Sequence, residues 1–209
     1  MSNRDLTHGS VGRALLAMTA PMTLGVLSVM AVGFADTAFL ARLGEGPLAA
    51  AGFVFPVATA LASVGIGLAA GVNSVVSRSL GAGDRGGAAR LTLQDIALAG
   101  LIGAVLAGAL TVLSPALFAT LGAGRETGEL IEAYMLWWRP SFALAVATMA
   151  ANAALRAHGD AVWPAGLMVG SGVLNILLDP PLIFGLYDVP AMGVEGAGLA
   201  TFIARAAAF

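Results

Sequence analysis

Of the 209 residues, 58% are hydrophobic and only 11% charged, and the formal net charge is −2. A water-soluble domain needs about 25% charged residues to solvate its surface, so this composition suits lipid as the solvent. The near-zero charge gives no reason to expect nucleic acid as a partner, and the absence of Cys removes disulfides, thiolate metal sites and cysteine nucleophiles.

Crossing ~30 Å of hydrocarbon takes roughly 20 helical residues. Charge-poor segments predict helices over 15–40, 48–76, 96–118, 134–155 and 162–185, with a sixth over 193–209 that is too short to cross. The first segment is too long for a signal peptide and is expected to stay as a membrane helix. The fold class expected is therefore an all-α membrane protein, a six-helix transmembrane bundle with its sixth helix truncated, as one unit over 1–209. Gly67 with Gly71, and Gly100 with Gly108, stand at multiples of four residues, a spacing that predicts close helix packing at those stripes.

Arginine placement gives an orientation. Arg4, Arg13, Arg78, Arg85, Arg90 and Arg156 fall on one side of this topology. Arg42 and Arg125 fall on the other, among Glu45, Glu126, Glu129, Glu132, Asp188 and Glu195. The positive-inside rule then predicts a cytoplasmic N-terminus. Tyr134, Trp137, Trp138 and Tyr187 are expected at the outer interface and Trp163 at the inner one.

An ionisable group at membrane depth costs on the order of 2.5–3.5 kcal/mol even on the mildest scale, so it is a functional candidate. Asp36 is the only charge in the first segment and Asp179 the only one in the fifth. Asn175 precedes Asp179 by four residues and shares its helix face. Pro180 and Pro181 follow at once; neither has an N–H, so nearby carbonyls lose their donors. Helices one and five run in the same direction, which brings both acids to one depth, and Thr201 on the sixth helix reaches a similar level. Oxygen-bearing side chains so grouped suit a proton or a hard cation such as Na⁺. Pro21 lies fifteen residues before Asp36, where it predicts a bend or a hinge. Arg205, four residues after Thr201, shares its face, and a pairing with Asp179 would compete with cation binding.

Other matches lack their context. Gly81-Ala-Gly83-Asp-Arg-Gly86 fits a dinucleotide fingerprint but follows a membrane helix and not a strand. Gly170-Ser171-Gly172 would need a histidine at membrane depth, and His8 and His158 both fall in cytoplasmic segments. Neither a metal cluster nor a catalytic pair is present, so an intramembrane enzyme is not expected, and no cofactor is.

The stretches from Pro21 to Gly44, "SRSLGAGDRGGAAR" from Ser77 to Arg90, "ALRAHGD" from Ala154 to Asp160, "NILLDPPLIFG" from Asn175 to Gly185 and "GVEGAGLAT" from Gly193 to Thr201 resemble the multidrug and toxic compound extrusion (MATE) family, most closely its DinF-like branch. The resemblance implies a twelve-helix fold of two six-helix lobes, of which this chain would be the N-terminal lobe and the C-terminal lobe its missing partner. It implies a cation-coupled (H⁺ or Na⁺) efflux antiporter of the bacterial inner membrane, moving small-molecule drugs across the lipid bilayer by alternating access. Asp36, Asn175, Asp179 and Thr201 match the family's cation or proton site, with any Na⁺ at those same residues, and Pro21 matches its helix-one hinge. Two alternatives stay open: a lipid or oligosaccharide flippase of the same superfamily, for which Arg139 is the one basic residue near membrane depth in helices one to five, and a half-length subunit that dimerises.

Overall fold

The described residues form six helices: α1 (Val11–Leu43), α2 (Glu45–Gly81), α3 (Arg85–Thr120), α4 (Arg125–Ala157), α5 (Val162–Phe184) and α6 (Val194–Ala207). The computed structural model describes residues 11–186 and 190–209; Arg4, His8, Tyr187 and Asp188 lie outside the described residues. Most helices run past the charge-poor segments. α3 begins at Arg85 and α4 at Arg125, about ten residues earlier than apolarity alone predicts. Backbone hydrogen bonding does not stop at the hydrocarbon boundary, and polar side chains there only need water beside them.

The connections are tight. Between α2 and α3 the Gly-rich stretch is a helix-to-helix turn, with Gly83 at φ 78° and the Asp84 side chain accepting from the Gly87 N–H at 2.8 Å. Before α5, Asp160 accepts from the N–H groups of Val162 and Trp163, both at 3.0 Å. These carboxylates satisfy helix N-terminal donors that would otherwise lack partners.

α4 occupies the middle of the bundle and packs against α2, α3 and α6; α1 pairs with α5, and α6 joins the two groups. This arrangement explains a contrast in composition. α1, α2, α3 and α5 are long and apolar enough to cross a membrane, whereas α4 is not among these. α4 buries Trp138, Arg139, Ser141 and Asn152 against protein, so its surface is not matched to lipid.

Two expectations change here. Trp138 is buried and stacked on Phe142, with centroids 5.6 Å apart. Trp137 donates to Glu195 at 3.2 Å, and Tyr134 packs against the α1–α5–α6 core. On α4 these rings therefore face neighbouring helices and not an interface, while Trp163 stays 63% exposed. The close helix approaches also fall elsewhere than the glycine spacing predicts. Gly67, Gly71 and Gly108 face open space, and Gly100 makes only ordinary contact with Ala147. Spacing identifies residues that share a face, but which face meets a neighbour depends on packing.

Candidate functional site

α1 and α5 lie side by side and run in parallel. Gly25 meets Met168, Gly172 meets Ser28 and Val32, and Phe39 meets Phe184 edge-on at 6.3 Å. Residues 28, 32 and 36 form one stripe of α1, and residues 172, 175 and 179 the facing stripe of α5. Gly172 makes the approach possible, because a Cβ there would collide with the Ser28 hydroxyl. α6 is seated as closely: a Cβ at Gly198 would lie 2.6 Å from the Tyr134 carbonyl oxygen of α4.

This packing brings four predicted residues together. Asp179 is fully buried (0% exposed), and neither of its carboxylate oxygens has a hydrogen-bond partner among the described residues. Asp36 is half-buried and within hydrogen-bonding reach of it. Asn175 is buried, and the amide orientation that satisfies its neighbours has its nitrogen donating to Asp36 Oδ1 at 3.1 Å and its oxygen accepting from the Thr201 N–H at 3.2 Å. The Thr201 hydroxyl donates to the Ala197 carbonyl at 3.0 Å. Pro180 and Pro181 sit inside α5, so the Ile176 and Leu177 carbonyls lack their helical N–H donors. Pro21 lies about four turns below the acids, and α1 runs through it as helix.

A buried carboxylate needs donors, and Asp179 has none from the protein. A proton carried by either acid would supply one, since a protonated carboxyl donates and its ionised neighbour accepts. Two ionised groups ~4 Å apart would instead repel by about 4 kcal/mol at an effective dielectric near 20. Among the described residues no three His, Cys, Asp or Glu side chains gather as a metal site.

Two residues near this site make contacts other than those expected from the sequence. Tyr134 of α4 packs against the α1–α5–α6 core, with its carbonyl oxygen against Gly198 of α6. Arg205 does not pair with Asp179: it donates to Ser141 Oγ at 3.0 Å, with its guanidinium 6.0 Å from the Trp138 ring centre. A separate polar cluster joins α3 to α4, where Arg139 bonds Glu132 and donates to Ser114 Oγ at 2.9 Å, while Ser114 donates to Glu132. The seven-residue separation of Glu132 and Arg139, two turns on one face, was the available signal.

Apolar helices long enough to cross a membrane, packed around an acid pair beside the two prolines of α5, are those of a multi-pass membrane protein. Residues 21–180 match the MatE family model, and the chain belongs to that family of MATE transporters. It is 35% identical over 196 residues to the FAD transporter of Shewanella oneidensis, covering 94% of this chain and 43% of that protein. With the probable multidrug resistance protein NorM of Deinococcus radiodurans the identity is 30% over 187 residues, covering 88% and 41%. Among solved structures, the MATE transporter VcmN of Vibrio cholerae in its bent form superposes with a TM-score of 0.88 at 35% identity, covering 94% of this chain and 44% of that one. A MOP superfamily transporter from Pyrococcus furiosus gives 0.90 at 29% identity, covering 100% and 45%. The chain thus spans somewhat under half the length of these relatives, and its fold is that of a MATE N-terminal lobe.

Proposed function

We propose that this chain is the N-terminal lobe, residues 1–209, of a cation-coupled efflux antiporter, in which Asp36, Asn175, Asp179 and Thr201 bind the coupling H⁺ or Na⁺. The observation that carries this reading is the buried Asp179, whose two oxygens lack partners beside a second carboxylate. A group that costly in an apolar bundle is retained because it loads and releases a cation. Exported substrates are organic cations or amphipathic drugs, as the names of the NorM relatives suggest. The protein sits in the bacterial inner membrane with its N-terminus in the cytoplasm, and the drug pathway forms against a second lobe. Pro21 serves as the hinge through which the occupied site reshapes α1.

A second substrate class has its own support, since the Shewanella oneidensis relative is a FAD transporter and shares 35% identity. Export of a flavin nucleotide would use the same acid pair with a different cleft. A flippase is less well supported, because the buried Arg139 that could hold a lipid phosphate is already paired with Glu132. In the full-length protein, Asp36→Asn is expected to abolish efflux of ethidium from loaded proteoliposomes, and a parallel assay with FAD separates the two substrates. Undiminished transport of both by Asp36→Asn would overturn the coupling role.

A further inference from the structure

A cavity of about 540 Å³ lies between α3, α4 and α6 and shares no lining residue with the acid pair. Its walls include Ala104, Gly108 and Thr111 of α3, Arg139 and Ala143 of α4, and Phe202 of α6. Small side chains at helical spacing make the room, and a Cβ added at Gly108 would meet nothing within 4 Å. The volume falls in the range of about 300–1,000 Å³ that holds a small ligand.

One polar side chain on these walls keeps donors to give. The Thr111 hydroxyl is engaged by the Ala107 carbonyl at 2.9 Å. Arg139 is only 8% exposed, and its bonds to Ser114 and Glu132 both leave from Nη2. Among the described residues Nε has no partner, and Nη1 makes no hydrogen bond. Glu132 therefore offsets the charge without using up the donors. What the guanidinium lacks is a neutral acceptor and not an anion.

The position of the cavity says where that acceptor comes from. Arg139 is five residues into the charge-poor segment of α4, about 7.5 Å along the axis. Its guanidinium reaches back to Glu132, two turns earlier, and so lies near the edge of the hydrocarbon. α3, which forms one wall, is the most apolar of the four candidate spans, with a mean hydropathy of 2.4. Val105 and Val112, beside that wall, are exposed. A helix apolar on all sides is suited to lipid contact. Hydrocarbon holds no water to satisfy an open N–H. The bilayer's own acceptor at that level is the ester carbonyl of a glycerophospholipid.

We propose that this cavity is a phospholipid site, in which an acyl chain lies along Ala104, Gly108, Ala143 and Phe202 and its ester carbonyl accepts from Arg139. The proposal goes beyond the antiport reading and does not depend on it. Because Arg139 and Glu132 together are neutral, the lipid is selected by its ester linkage and not by headgroup charge.

The test uses the full-length protein in detergent, with a phosphatidylcholine that carries a photoreactive diazirine on its acyl chain. Crosslinks are expected within residues 104–111 and 139–144. Gly108→Leu, for which the structure has space, should melt at an unchanged temperature and lose this label. Unlabelled diester phosphatidylcholine should compete about tenfold better than its diether counterpart, as a hydrogen bond to a charged donor predicts. That comparison needs no variant. Phosphatidylglycerol should compete as well as phosphatidylcholine. No label in these residues of the wild type, an equal label in folded Gly108→Leu, or equal competition by diester and diether lipids overturns the assignment. So does a preference of about tenfold for phosphatidylglycerol, or displacement of the label by ethidium in place of lipid.

Discussion

The bundle holds two buried polar clusters of opposite character. Between α3 and α4, Arg139, Glu132 and Ser114 bond one another, so a charge inside the bundle meets its opposite. Between α1, α5 and α6, Asp179 meets another carboxylate and finds no donor. The first cluster is closed around its charge, save for the Arg139 Nε, which has no partner among the described residues, and the second is open, with no donor to Asp179. Breaking a compensated pair strands the surviving charge, whereas neutralising an uncompensated group relieves it. The closed cluster should therefore carry stability and the open one transport.

Four substitutions in the full-length protein would break or sharpen that contrast. The largest effect is expected from Asp179→Asn. Coupled efflux of ethidium should fall to background, while the melting temperature in detergent holds or rises, because an unpartnered buried polar group costs about 1–3 kcal/mol. A sharp fall in melting temperature with transport intact would reverse the contrast. Arg139→Met comes next, with a loss of about 1–3 kcal/mol as its bonds to Ser114 and the partly exposed Glu132 are removed. The double variant Glu132→Gln/Arg139→Met should recover most of that loss, and a double-mutant cycle of thermal melts reads it directly. Gly172→Leu is expected to cost about 1–3 kcal/mol by forcing α1 from α5. Unlike Arg139→Met, it should also impair transport, since the same contact holds the acids together. Ser141→Ala has the smallest expected effect, about 1 kcal/mol for the lost Arg205 and Trp138 hydrogen bonds.

Much of this was legible in the residues alone. Asp36 and Asp179 stand out because each is the only charge in a long apolar run, and helix direction brings them to one depth. Asn175 follows from its four-residue spacing. Tyr134 and Arg205 did not declare their surroundings in this way. Tyr134 sits beside Trp137 and Trp138 in a pattern that also marks a membrane interface, and only the burial of α4 separates the two readings. Arg205 shares a face with Thr201, yet its partner Ser141 is 64 residues away and on another helix. The glycine stripes mislead for a related reason: Gly67 and Gly71 present a smooth face to open space, while Gly172 and Gly198, with no stripe to announce them, carry the tight contacts.

The sequence by itself determined that this chain lives in lipid, that it is built of six helices, and that two acids lie at membrane depth. Those properties follow from transfer free energy and helical period, which act on each segment separately. Only the tertiary structure decided that α4 is the interior helix, that Asn175 bridges Asp36 and Thr201, and that Arg205 is tied to Ser141 and not to Asp179. These depend on which faces of separate helices meet. In a membrane, where lipid is as apolar as the side chains, that choice is made by close packing and by the pairing of buried polar groups.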